Sequence, residues 1–354
     1  MSATAQQLWQ RLADAGLVQG EPPPTPLAPP WYVRLLLGVA GWIAALFLLG
    51  FVAAGMAWLA DSEPASIVGG LLVSAAAWVL FRKMPESAFA QQFALAFSFA
   101  GQALFALGVF GLYDHSAEGV GPWLWIAVQQ TALLAAMPNT VHRLWSAFAA
   151  SVALYMALRA GGLGFLAPPL LLAAAAWGWL HEFRWPRFAA ALRPGAYGLV
   201  VALIGMELAA GLLRPAVGFD APDPERRLWG QLLNGAVLVA VAWLLLRRAG
   251  AAWPGRTAVV VLAGTVLTVL VSLEAPGIAT GVCILLLGFA HGNAVLTGLG
   301  GIALLLYAGG YYYEMDVTLL VKSQVLAATG AVLLGLRWVL LRWLGAPGMG
   351  AADG

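Results

Sequence analysis

Lys322 lies in the stretch Tyr307–Trp343, five residues into its apolar run 317–340, and no other lysine falls within a hydrophobic stretch of the chain. Glu207 lies in a second such stretch, seven residues before Arg214. An ionisable group inside a bilayer span costs roughly 2.5–3.5 kcal/mol on insertion scales, so its first reading is functional. At 1.5 Å per residue, Glu207 and Lys322 sit about 10 and 8 Å below the same outer boundary. Matched depth and opposite charge lead to the expectation that they face the bundle interior and pair, directly or through water. Snorkelling of the long lysine stem to the surface is the alternative. Around Lys322 the sequence places Ser323, Thr318 one turn earlier, Asp316, and Tyr313 as the last of three consecutive tyrosines.

A second set of polar groups is the glutamine series Gln91, Gln92, Gln102, Gln129 and Gln130. Gln91 and Gln102 are eleven residues apart, close to three helical turns, so they share a face with Ser98 nearby. Interhelical hydrogen bonding accounts for such residues, and for Asn234, without any function; a polar lining for a solute path is the alternative. The histidines His115, His142, His181 and His291 fall at four separate helix boundaries, as interfacial side chains do. His181-Glu182 lacks the second histidine of a zinc helix. Cys283 stands alone in an apolar run, which leaves no disulfide or cysteine metal site within one chain. No Ser-His-Asp order, phosphate loop or paired-cysteine motif is present, so no enzyme, cofactor or metal is expected.

The elements that must position these groups follow from composition. Of 354 residues, 62% are hydrophobic and 10% charged, against about 25% charged in ordinary soluble domains. The mean hydropathy of +0.85 points to an all-α, polytopic bundle of transmembrane helices. Residues 1–20 read as a short amphipathic helix with Leu8, Trp9, Leu12 and Leu17 on one side; docking on its own protein and lying on the inner membrane surface are both open to it. Six prolines within 21–30 make a stiff spacer,. The bundle then occupies 31–343, and 344–354 is a flexible tail. The first thirty residues lack a basic head followed by an apolar core, so no signal peptide is expected.

Apolar runs fall at 31–60, 65–81, 89–112, 122–137, 144–158, 163–181, 195–213, 229–246, 257–273, 277–290, 294–312 and 317–340. Taken as spans they are twelve, and because several reach only the short limit, ten is the alternative. With the N-terminus inside, thirteen of the eighteen basic residues fall on the inner side. The positive-inside rule then predicts that both termini are cytoplasmic. The near-balanced charge says nothing about nucleic acid, and no basic cluster is dense enough to suggest such a partner, so none is expected; the bilayer is the expected partner,.

The run His291-Gly-Asn293, Gly298, Tyr307, Tyr311 to Tyr313, Thr318 to Leu320, Lys322-Ser323, Gly330 and Arg337 resembles the family catalogued as domain of unknown function 4401. Pro30-Trp31, Trp42 to Ala45, Gln91 to Leu95, Ser98 and Gly101-Gln102 fit it as well. The resemblance implies a bacterial multi-span inner-membrane protein of unknown activity. It also implies association with other small membrane proteins, one of them bearing a periplasmic domain. Two functions remain open at this point. One is a transporter-like bundle with a polar path around Lys322, Glu207 and the glutamines. The other is a non-transporting subunit or scaffold whose outer mouth, Tyr311 to Asp316, docks a periplasmic-domain partner.

Overall fold

A computed structural model describes residues 3–16, 62–85, 87–181, 189–211, 223–250 and 255–314, with scattered positions between 18 and 55 and between 320 and 324. Among the described residues every regular element is helical. The chain forms two compact units, Met1–Gly55 and Met56–Gly354. In the first, helix α1 (Ala3–Asp14) leaves Trp9 and Leu12 half-buried while Gln10, Arg11 and Asp14 are exposed, the pattern of an amphipathic helix,.

Among its described residues the second unit has ten α-helices: α2 (Glu63–Lys83), α3 (Ala88–Gly111), α4 (Val120–Ala136), α5 (Thr140–Ala160), α6 (Ala167–Leu180), α7 (Ala189–Ala210), α8 (Pro224–Arg248), α9 (Arg256–Glu274), α10 (Ile278–Ala290) and α11 (Ala294–Glu314). Each coincides with one apolar run of the sequence. Their starts are set by side chains that accept from otherwise unpaired backbone N–H groups: Ser62 for α2, Ser87 for α3, Asn139 for α5 and Asp223 for α8,. Among the described residues six helices are long and apolar enough to cross a membrane: α2, α3, α5, α7, α8 and α11. The others are shorter; α6 has 14 residues and α10 has 13. The expected first and last spans, 31–60 and 317–340, lie outside the continuously described residues.

Neighbouring helices run antiparallel and approach through glycine. A Cβ at Gly70 would stand 2.5 Å from the Gly101 carbonyl oxygen, and one at Gly101 would stand 2.8 Å from the Gly70 carbonyl, so α2 and α3 touch backbone to backbone,. In the α10–α11 pair, Gly281 faces Leu304, Gly288 faces Thr297 and Gly300 faces Leu285. The main core joins α6, α7, α8, α10 and α11 through Leu172, Trp179, Val200, Leu203, Leu238, Ile284, Leu287 and Leu296. The outward surface is apolar too: Val266, Leu267, Leu270 and Val271 of α9 and Leu305 of α11 are exposed. A soluble monomer rarely leaves so continuous an apolar face open, whereas lipid covers it at no cost. The chain is a membrane-embedded helical protein.

Candidate functional site

The alternation of helices gathers two sets of polar groups near opposite ends of the unit. One end holds the last turns of α7, α9 and α11 and the first turns of α8 and α10. Glu207, in the last turn of α7, is 8% exposed. Its Oε1 accepts from Asn234 Nδ2 of α8 at 3.1 Å and from Thr280 Oγ1 of α10 at 3.2 Å. Above it a cavity of about 290 Å³ is lined by Glu207, Leu208, Gly211, Arg227, Glu274, Pro276, Leu306, Tyr307, Gly310 and Tyr311. Arg227, Glu274 and Tyr311 are exposed at its mouth, while Glu207 and Tyr307 are buried at its floor. Arg227 is held there by a hydrogen bond from Nη2 to the Glu274 carbonyl at 3.3 Å. The Tyr307 ring lies flat against the backbone of Gly277, whose φ of +89° starts α10; a Cβ there would stand 2.8 Å from the ring,. The Tyr307 hydroxyl and the Asn234 carbonyl oxygen are both buried without a hydrogen-bond partner, an unusual state for buried polar atoms.

The other end holds a closed network across α2, α3, α4 and α5. His142 is fully buried, ringed by Phe81 and Phe99. The Trp145 indole N–H only donates, so the Gln102 atom 3.1 Å from it is the carbonyl Oε1, which also accepts from Gln130 Nε2 at 2.9 Å,. Gln102 must then turn its Nε2 toward His142 Nε2, at 3.1 Å, and toward Ser98 Oγ, at 3.2 Å. A ring nitrogen facing an amide donor carries no proton, so His142 holds its proton on Nδ1, which faces Ser146 Oγ at 3.1 Å,. Ser98 lies 2.7 Å from Nε2 and donates its hydroxyl to it. Gln91 extends the network: its Nε2 donates to the Met84 carbonyl at 3.1 Å and its Oε1 accepts from Asn139 Nδ2 at 3.3 Å.

The sequence-expected residues are thus divided. Glu207 belongs to the cavity, and Gln91 and Gln102 to the network near the opposite end. Gln129 is buried with neither amide atom hydrogen-bonded, and it is Gln130 that reaches Gln102. Tyr313 is exposed next to the mouth, and Ser323 Oγ donates to the Leu320 carbonyl at 2.8 Å. Lys322, Asp316 and Thr318, and with them the expected Glu207–Lys322 pair, lie outside the described residues. The expectation for His142 is corrected: α5 starts at Thr140, earlier than the apolar run, and this draws His142 from the boundary into the core. His115, His181 and His291 do occupy helix-terminal turns.

Three residues around Glu207 escaped the sequence reading as members of one site. Tyr307 precedes Tyr311 by one helical turn, a spacing that could have placed both on one face. Thr280 and Arg227 carry no comparable signal, because what joins them to Glu207 is the packing of three helices. Among the described residues no group of three or more His, Cys, Asp or Glu side chains could hold a metal ion.

The family model for Domain of unknown function (DUF4401) matches residues 30–343, most of the chain. The chain belongs to the DUF4401 family. No curated protein matches it, and no solved structure does either. Membership in DUF4401 therefore brings no activity to the cavity, and its chemistry has to be argued from the residues themselves.

Proposed function

We propose that this DUF4401 protein is a transporter-like bundle of the bacterial inner membrane, whose cavity over Glu207 opens on the outer face and admits a small polar solute. The observation that carries this reading is a half-open cavity whose buried floor presents a carboxylate and an unpartnered tyrosine hydroxyl. A ligand site is typically such a concavity, largely apolar with a few convergent polar groups. Pairing of Glu207 with Lys322 and a polar path through the glutamines belong to the same proposal. So do twelve spans, with ten as the smaller count, and cytoplasmic termini. Charge supports the orientation. Between Glu63 and Glu314 every described acidic residue lies at or within about one turn of the cavity end, whereas Arg82, Lys83, Arg143, Arg193, Arg247, Arg248 and Arg256 lie at the other end,.

A second reading, a non-transporting subunit that docks a periplasmic-domain partner, is favoured by Tyr313, 77% exposed beside the mouth. One experiment separates the two. In a Cys283→Ala background, single cysteines replace Leu208 and Tyr311 in intact cells, with Glu118→Cys as the outer control and Arg82→Cys as the inner one. A membrane-impermeant thiol reagent added outside is expected to label 208, 311 and 118 and to spare 82. Protection of 208 and 311 with 118 labelled would remove the open cavity and leave the subunit reading. Labelling at 82 with 118 spared would reverse the orientation.

A further inference from the structure

We infer that the Glu207 cavity receives an ammonium group; this deepens the proposed solute site and rests on it. The hydrogen-bond census at the floor is short of donors. Both recorded donors to Glu207, Asn234 Nδ2 and Thr280 Oγ1, go to Oε1, so Oε2 lies outside these bonds. With its nitrogen committed to the carboxylate, the Asn234 amide must turn its carbonyl oxygen the other way, and that oxygen accepts nothing. Tyr307, 5% exposed, lines the cavity, and its buried hydroxyl is likewise without a partner among the described residues. Asn234 stands outside the lining, but Glu207 and Tyr307 both line the cavity and offer it acceptors, and an ammonium head supplies three donors and a positive charge,.

The backbone points the same way. Glu207, Leu208 and Gly211 belong to the C-terminal end of α7, Glu274 to that of α9, and Gly310 and Tyr311 to that of α11. The last carbonyls of a helix lack intrahelical partners and carry partial negative charge, so the converging C-termini of α7 and α9 favour a cation. The N-terminal turns of α8 and α10 contribute only Arg227 and Pro276 to the wall, and at the mouth Arg227 is offset in charge by Glu274. A metal ion would fit the charge but not the geometry of the set: beneath the mouth the lining side chains supply one carboxylate and one phenol, a sparse oxygen shell for a hard cation,. The head comes either from a small solute amine or from Lys322, the partner expected from the sequence, and the experiment separates the two sources.

Purified full-length protein is titrated with ethylammonium chloride by calorimetry, with sodium chloride and tetramethylammonium chloride at equal ionic strength as comparisons. Saturable ethylammonium binding, weakened at least tenfold by Glu207→Gln and several-fold by Tyr307→Phe, assigns the site to a solute amine. Tyr307→Phe keeps the ring on Gly277 and removes the hydroxyl alone, so it serves where Glu207→Gln fails to fold. Binding that appears only in Lys322→Gln assigns the head to the chain's own lysine. Equal binding of sodium, or of tetramethylammonium with no N–H to donate, overturns the inference. So does ethylammonium binding that both variants leave unchanged, and so does the absence of binding in wild type and Lys322→Gln alike. If that absence occurs while cysteines at 208 and 311 are labelled from outside, the open cavity survives and the ammonium assignment falls. If those cysteines are also protected, both fall.

Discussion

Glu207 is held by two neutral donors, and an amide oxygen can accept from both as a carboxylate does. Glu207→Gln is therefore expected to unfold within about 1 kcal/mol of wild type, whereas Glu207→Leu strands the Asn234 N–H and the Thr280 hydroxyl, each stranded group costing about 1–3 kcal/mol. Thermal unfolding in detergent distinguishes these outcomes; equal losses for both variants would show that charge rather than hydrogen bonding holds the residue. The glutamines make a sharper contrast. Gln102 serves Gln130, Trp145, His142 and Ser98 at once, so Gln102→Leu should lower stability by about 2 kcal/mol or more. Gln129 has an unpartnered amide, and Gln129→Leu is expected to be neutral or stabilising, because it removes a buried polar group that gains nothing. Identical behaviour of the two variants would remove the network as an organising feature. From sequence the two glutamines look alike. Which one meets a partner depends on a 100° rotation about the helix and on what the neighbouring helix presents there.

The elements were largely legible beforehand. Ten apolar runs became ten helices, because a helix satisfies its own backbone in lipid and the run's ends carry stop and start chemistry such as Met137-Pro138-Asn139,. Boundaries moved where a cap, not hydropathy, decides them. Asn139 accepts from the His142 N–H at 3.0 Å and pulls the start of α5 ahead of its apolar run,. Packing between elements rests on glycines whose pairing is not periodic in any visible way. Gly101→Val should separate α2 from α3 and cost about 1–3 kcal/mol, since backbone atoms of the neighbour fill the space a side chain needs,. Gly264→Ala in α9 has open space around it and is expected to gain about 0.5–1 kcal/mol from helix propensity alone. Unfolding midpoints of the two variants should move in opposite directions; a shared loss would mean that lipid or another chain covers Gly264.

At the scale of the molecule, the unit keeps its described acids near one end and most of its described bases at the other. The cavity at the acidic end and the buried histidine network near the basic end give the two halves different characters. Tryptic cleavage of sealed inside-out vesicles is expected to cut at Arg247-Arg248 and to spare Arg226-Arg227; the opposite pattern would invert the bundle. The same polarity explains why thiol access should be confined to the Glu207 end.

Hydrophobicity, its interruption and the placing of charge are written residue by residue, so class, helix positions and membrane context could be read from the chain directly. These properties act locally, each helix meeting lipid and solvent largely on its own terms. The meeting of Glu207, Asn234, Thr280 and Tyr307 is different in kind. Each comes from a separate helix, up to 100 residues apart in the chain, and their convergence depends on the rotation and register of four packed helices. Nor could spacing reveal that His142 is internal, that Gln130 rather than Gln129 meets Gln102, or that Gly277 makes room for a tyrosine ring. Those outcomes belong to packing, where a shift of one residue turns a side chain by 100° and hands its partner to another.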